Sequence, residues 1–281
     1  MLGAIAGDII GSVHERGKQK SKDFPLFVEG STFTDDTVLS IAVADAIMNG
    51  QLSPDAEDKA DQKVGYARIL KRYGQDYFSV GYGKSFKQWI VSDNLAAYNS
   101  WGNGSAMRVS PVGFAFDEPS EVLQVAKQSA EATHNHPEGI KGAQATASAI
   151  LLARQGRSKQ EIKAQIEQSF GYDLNRSLAE IRPGYTFHVS CQRSVPESII
   201  SFLESTDFED ALRNAISLGG DADTMAAIAG GIAEAFYGGV PEAIAQEVIA
   251  RLDSSLREIA LQFCERHVPS YGYSRLATTK A

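Results

Sequence analysis

The chain has 281 residues, 43% of them apolar and 22% charged, with 27 Lys and Arg against 35 Asp and Glu for a formal net charge of −8. A chain of this length and balance buries a large core, and its acidic excess argues against long nucleic acids, whose binding rests on neutralising phosphates. A small phosphorylated ligand stays open, because bound cations reverse the local sign.

No apolar run reaches the roughly 18 residues of a membrane span. The apolar start, Met1 to Ala6, has no basic leader and is interrupted at Asp8, which predicts no signal peptide. Cys191 and Cys264 stand far apart and in no CxxC pattern, so they read as reduced thiols of a cytoplasmic protein. In chain order, Val38, Leu39, Ala42, Val43, Ala46 and Ile47 form a helical stripe closed by Asn49-Gly50, with Thr34 suited to cap it and Asp35 and Asp36 in its first turn. A second helix is expected over 57–73, a loop from Gly74 to Gly83, and a short helix over 84–91. Helices follow at 119–132, 137–154 and 158–169. The stretch from Tyr185 to Cys191 alternates with period two and reads as a short extended piece. Helices then resume at 195–204, 207–217, 222–237 and 241–265. Without strand–helix alternation, fixed repeats or low-complexity linkers, the prediction is one all-α domain over 1–269 and a loose tail over 270–281.

Two segments share a pattern: Thr34-Asp35-Asp36-Thr37 and Asp221-Ala222-Asp223-Thr224, the second preceded by Gly219-Gly220. Each stands at a predicted helix start, and each alone also reads as an N-cap that complements the helix dipole. Should both starts converge, four carboxylates share one pocket. Two charges about 4 Å apart repel by roughly 4 kcal/mol at an effective dielectric near 20, whereas dipole relief is worth only about 0.3–1 kcal/mol per charge. Cations or protonation must make up the difference. The donors are all oxygen, carboxylates with the Thr34 and Thr224 hydroxyls, which favours Mg²⁺, Mn²⁺ or Ca²⁺ over Zn²⁺. A third acidic segment, Gly7-Asp8 with Gly11 and Glu15, lies near the start. On a helix, Gly7 and Gly11 let a neighbour pack closely, and Glu15 taken alone reads as a surface charge.

With these segments the sequence resembles the ADP-ribosylglycohydrolase family. The resemblance is carried in order by Gly3-Ala4-Ile5-Ala6-Gly7-Asp8 with Gly11 and Glu15, by Phe33-Thr34-Asp35-Asp36-Thr37, by Gly102-Asn103-Gly104-Ser105-Ala106-Met107-Arg108, by Thr133-His134-Asn135-His136-Pro137 and by Gly219-Gly220-Asp221-Ala222-Asp223-Thr224. It implies a single-domain orthogonal helical bundle with a binuclear Mg²⁺ cleft, Mn²⁺ being an acceptable substitute. The implied metal ligands are Thr34, Asp35, Asp36, Asp221, Asp223 and Thr224. Glu15 falls where the resemblance implies a catalytic or gating glutamate, with Glu15 or Asp36 the residue to handle the proton, and Gly102, Asn103, Gly104, Ser105 and His134 are the implied substrate contacts. In physical terms, Gly102-Asn103-Gly104 permits positive φ and an amide nest for a diphosphate, or is an ordinary turn. Arg108 pairs with a phosphate or with an acidic residue. His134 reads as a hydrogen-bonding partner of the ligand or a plain cap, and a His134–His136 metal pair is disfavoured. Tyr98, Trp101, Phe114 and Tyr172 are candidates to stack on adenine or to fill the core.

The expected reaction is hydrolysis of the glycosidic bond between ADP-ribose and a modified protein side chain or small conjugate, through an oxocarbenium-like transition state. The alternatives are a metal-dependent hydrolase of O-acetyl-ADP-ribose or a phosphoester, and a non-catalytic ADP-ribose binder or crystallin-like structural protein. Neither nucleic acid nor membrane is expected as a partner.

Overall fold

In the computed structural model, which describes residues 1–17, 19–54 and 59–278, the described chain is all-α. In order the helices are α1 (Leu2–Gly11), α2 (Asp35–Met48), α3 (Lys59–Asp76), α4 (Lys84–Val91), α5 (Gly104–Met107), α6 (Ser110–Ala115), α7 (Pro119–Glu131), α8 (Pro137–Arg154), α9 (Lys159–Phe170), α10 (Leu178–Ile181), α11 (Cys191–Leu203), α12 (Phe208–Ile216), α13 (Ala222–Tyr237), α14 (Glu242–Arg251) and α15 (Ser254–His267). Residues 57 and 58 of the expected second helix lie outside the described residues.

The central element is α13, buried at every residue from Ala222 to Ala235 and packed on α1, α8, α11 and α12. Small residues make its contact with α1 possible. A Cβ on Gly7 would stand 2.1 Å from the Ala226 carbonyl oxygen, one on Gly3 2.3 Å from that of Gly230, and one on Gly11 2.5 Å from the Asp223 Cα. The close packing expected of Gly7 and Gly11 is therefore present, and it sets the fully buried Asp8 of α1 beside the start of α13.

Three expectations are corrected. The 241–265 helix is two helices: Leu252 is extended, and Asp253 caps α15 by accepting from the Ser255 and Leu256 amides. A residue that bonds its own downstream backbone starts a new helix here. The helix expected from 195 begins at Cys191, with Pro196 inside it. The tail is not loose through Leu276. Tyr273 and Leu276 are buried, and the Tyr273 hydroxyl donates to Glu234 (3.0 Å) while accepting from the Val240 amide (2.7 Å). The period-two stretch before α11 forms no strand among the described residues. It makes one antiparallel bridge, Gly102 with Ser190, through bonds from the Asn103 amide to the Val189 carbonyl (2.7 Å) and from the Cys191 amide to the Trp101 carbonyl (3.1 Å).

Candidate active site

The two acidic helix starts meet. Thr34 is the N-cap of α2, its hydroxyl oxygen facing the Asp36 amide, and Asp221 stands at the N-cap position of α13. The Thr224 hydroxyl donates to Asp36 Oδ2 at 3.3 Å across 188 residues of sequence. Carboxylate oxygens of Asp8, Asp36 and Asp223 lie within 4.8 Å of one another, as do those of Glu15, Asp221 and Asp223. Asp35 lines the same cleft beneath Gly81, whose left-handed backbone (φ +111°) fits a loop where a Cβ would stand 3.1 Å from Asp35 Oδ1.

Asp8 is the residue that motif reading placed without a role. Its carboxylate accepts from the Thr34 amide (2.9 Å), the Thr34 hydroxyl (2.7 Å) and the Thr37 amide (3.0 Å). It thus caps α2 from another helix while adding its charge to the cluster. The signal in the sequence was a lone carboxylate inside an otherwise apolar ten-residue helix.

Asp221 is not an ordinary cap. Its side chain makes no capping bond and instead accepts from Asn103 Nδ2 at 2.8 Å. Asn103 therefore works on the acidic cluster from beneath. Of the two readings of Gly102-Asn103-Gly104, amide nest or ordinary turn, the nest is not formed: Gly102 N donates to the Ser100 hydroxyl (3.1 Å), and Asn103 N donates to the Val189 carbonyl (2.7 Å). Neither glycine has positive φ; Asn99 does (φ 55°). Close approach is what these glycines permit, since a Cβ on Gly104 would lie 3.0 Å from His134 Nε2. Ser105 is fully buried with its hydroxyl on the Gly139 carbonyl (2.7 Å) and does not line the cleft. Among the described residues Arg108 forms no ion pair with an acidic residue; its Nη2 donates to the Ser129 carbonyl and the Thr133 hydroxyl, while Nε and Nη1 are buried without a partner. His136 is the N-cap of α8 and binds the Glu138 amide.

Two further features escaped sequence reading. Lys20, distant in sequence from everything it binds, donates to the carbonyls of Arg182, Tyr185 and Leu218, so it fastens the segment after Glu15 to the turn before Asp221. At that turn Gly219 is left-handed (φ +66°), and a Cβ would stand 2.8 Å from the Gln19 carbonyl oxygen. The cleft also takes in Lys84, Ser85, Tyr98, Ser100, Phe187 and Val189. Its volume is about 360 Å³, within the range of small-molecule sites.

The electrostatics are those of uncompensated carboxylates. Burial, then the charge of Asp8, pushes Asp35 up to about 8. Burial raises Asp221 to about 6. Asp36 and Asp223 are raised well above the carboxylate range, first by burial and then by each other's neighbours, Asp223 for Asp36 and Asp221 for Asp223. Among the described residues no Lys or Arg forms an ion pair with Asp8, Asp35, Asp36, Asp221 or Asp223. Asp36 Oδ1 is buried without a hydrogen-bond partner. A buried acceptor in that state calls for a cation or a proton, and an all-oxygen donor set suits a hard divalent ion. The residues fit such a group.

An all-α fold whose acidic helix starts converge over a cleft defines a class of hydrolase, and the comparisons agree. The profile of the family described as ADP-ribosylglycohydrolase matches residues 1–271. The chain belongs to the ADP-ribosylglycohydrolase family, hydrolases of glycosidic bonds to ADP-ribose. It is 28% identical to human ADP-ribosylhydrolase ARH3 over 310 residues, covering 85% of this chain and 84% of that protein. It is 26% identical to ADP-ribosylarginine hydrolase Tri1 of Pseudomonas putida (strain GB-1), covering 97% and 80%. A solved structure titled ADP-ribosylglycohydrolase-related protein complex superposes with a TM-score of 0.66 at 24% identity, covering 95% of this chain and 97% of that one, and so shares the fold.

Proposed function

We propose that the chain is a Mg²⁺-dependent hydrolase that releases ADP-ribose from a modified protein side chain or a small conjugate. The observation that carries this reading is the meeting of the Thr34–Asp36 and Asp221–Thr224 helix starts with Asp36 Oδ1 left unpaired. Thr34, Asp35, Asp36, Asp221, Asp223 and Thr224 would hold two Mg²⁺, or Mn²⁺, which when bound neutralise the cluster, orient the ribose hydroxyls and lower the pKa of water.

The remaining chemistry belongs to side chains of this protein. Asn103 fixes the rotamer of Asp221 through its amide. Glu15, its side chain 35% exposed and its carboxylate within 4.8 Å of those of Asp221 and Asp223, is reached by solvent as well as by the cluster. That suits a residue that handles a proton as the leaving group departs, with Asp36 as the second acidic residue at the reacting centre. His134, which lines the cleft beside Gly102 and Gly104, would donate to the ligand. Phe114 and Tyr172 are buried in the core, which leaves Tyr98, in the cleft wall, and Trp101, 49% exposed beside it in sequence, as aromatic surfaces for adenine.

The test is incubation with a panel of ADP-ribosylated proteins and small conjugates, with and without Mg²⁺, reading free ADP-ribose. Mg²⁺-dependent release is expected. Release of AMP or phosphate would assign a phosphoester hydrolase, and tight ADP-ribose binding without turnover of any conjugate would assign a binding protein.

A further inference from the structure

In the cleft wall, which Arg108 and His134 line, three side chains form a continuous relay. Arg108 is fully buried and donates through Nη2 to the Ser129 carbonyl (2.8 Å) and to Thr133 Oγ1 (2.9 Å). Thr133 Oγ1 in turn lies 2.8 Å from His134 Nδ1. A guanidinium only donates, so the threonine oxygen accepts from it and keeps one proton of its own to give. A neutral imidazole carries a proton on one nitrogen and a lone pair on the other, and the partner of one nitrogen sets the state of the other.

The two arrangements differ in how they face the cation. With a proton on Nδ1, the positive end of the N–H dipole points at an oxygen already bound to a guanidinium. With a lone pair on Nδ1, the hydroxyl proton, made more acidic by that guanidinium, is donated to the ring, and all dipoles run the same way. We infer that Arg108 and Thr133 are positioning residues that hold His134 as the Nε2–H tautomer, so that its one ring donor faces the ligand beside the Gly102–Gly104 loop. Nε2 is the atom nearest that loop, 3.0 Å from the place of a Gly104 Cβ and 3.6 Å from that of Gly102. Burial, then the Arg108 charge, holds His134 well below the ordinary histidine value, so the ring stays neutral with one lone pair to place.

The acceptor of the Nε2 proton is an oxygen of a hydroxyl or a phosphate, and its identification with ADP-ribose rests on the function proposed above; the tautomer itself does not. The experiment is long-range ¹H–¹⁵N NMR on the full chain labelled in its histidines, with His134 assigned by its loss in His134→Gln, and titration with ADP-ribose. The wild type is expected to show a protonated Nε2 and an unprotonated Nδ1 across neutral pH. Thr133→Ser, which keeps the hydroxyl, should match it. Thr133→Val should shift His134 toward the Nδ1–H form and weaken ADP-ribose binding about tenfold, with the loss in KM rather than kcat. A wild type protonated on Nδ1, or a Thr133→Val protein with unchanged tautomer and affinity, would overturn the inference. If the wild type shows the Nε2–H pattern but does not bind ADP-ribose, the relay stands and the functional reading fails.

Discussion

Asp8 and Asp36 are buried carboxylates a few ångströms apart, yet they carry opposite consequences for stability. Asp8 accepts three hydrogen bonds, so Asp8→Ala leaves the Thr34 and Thr37 amides and the Thr34 hydroxyl without their acceptor; a loss of about 1–3 kcal/mol in denaturant unfolding is expected. Asp36 keeps an unpaired oxygen among like charges. Asp36→Asn should therefore abolish turnover while leaving the fold intact, with a metal-free Tm equal to or above that of the wild type. A metal-free Asp36→Asn protein that unfolds would mean that the carboxylate is structural. Much at this scale was legible in the sequence, because carboxylates and threonines at helix starts announce both a cap and, once the starts meet, an acidic cluster. What was not legible is direction. Ser105 lies in a motif segment yet turns toward α8, and Asn103 spends its side chain on a residue 118 positions away.

Small residues and one lysine place the acidic helix starts. Gly7→Ala puts a methyl group against the Ala226 backbone, which no rotamer change can relieve, so α1 and α13 must part. Overpacking of this kind costs about 1–3 kcal/mol or more, and both Tm and activity should fall together, whereas Gly184→Ala, at an exposed position where a Cβ would meet nothing within 4 Å and the backbone is not left-handed, should leave activity unchanged. Lys20→Met removes three bonds to backbone carbonyls that tie the Glu15 segment to the turn before Asp221. Turnover should fall roughly tenfold with a smaller change in Tm, measured by steady-state kinetics and calorimetry; unchanged kinetics would show that the turn holds itself. Helix periodicity located most elements because their apolar stripes are long. It merged α14 with α15, where the Asp253 cap interrupts a continuous stripe, and it began α11 too late, at the proline that the helix absorbs. The Lys20 clamp left no pattern at all, since its acceptors are main-chain atoms on distant segments.

For the molecule as a whole, the cluster makes stability depend on pH and on cations. Folding raises Asp221 from 3.8 to about 6 and Asp35 from 3.8 to about 8. The folded state then holds more protons than the unfolded chain across that window, so the contribution of these groups to stability is present below about pH 4 and is lost as pH rises through the folded values. Without divalent ions Tm should fall from about pH 5 to 8, and the Tm gain on adding Mg²⁺ should widen over the same range. A gain independent of pH would place the ion elsewhere. No helix among the described residues is long and apolar enough to cross a membrane. The all-α class followed from the absence of strand–helix alternation, whereas the convergence of helix starts 187 residues apart is a property of packing that only the folded chain displays.

Anomalous diffraction from crystals soaked in Mn²⁺ addresses that convergence most directly. The account predicts two peaks bounded by Asp35, Asp36, Asp221 and Asp223, both lost in Asp36→Asn. Ordered crystals with no peak between α2 and α13, or with Mn²⁺ bound only at surface carboxylates, would contradict it.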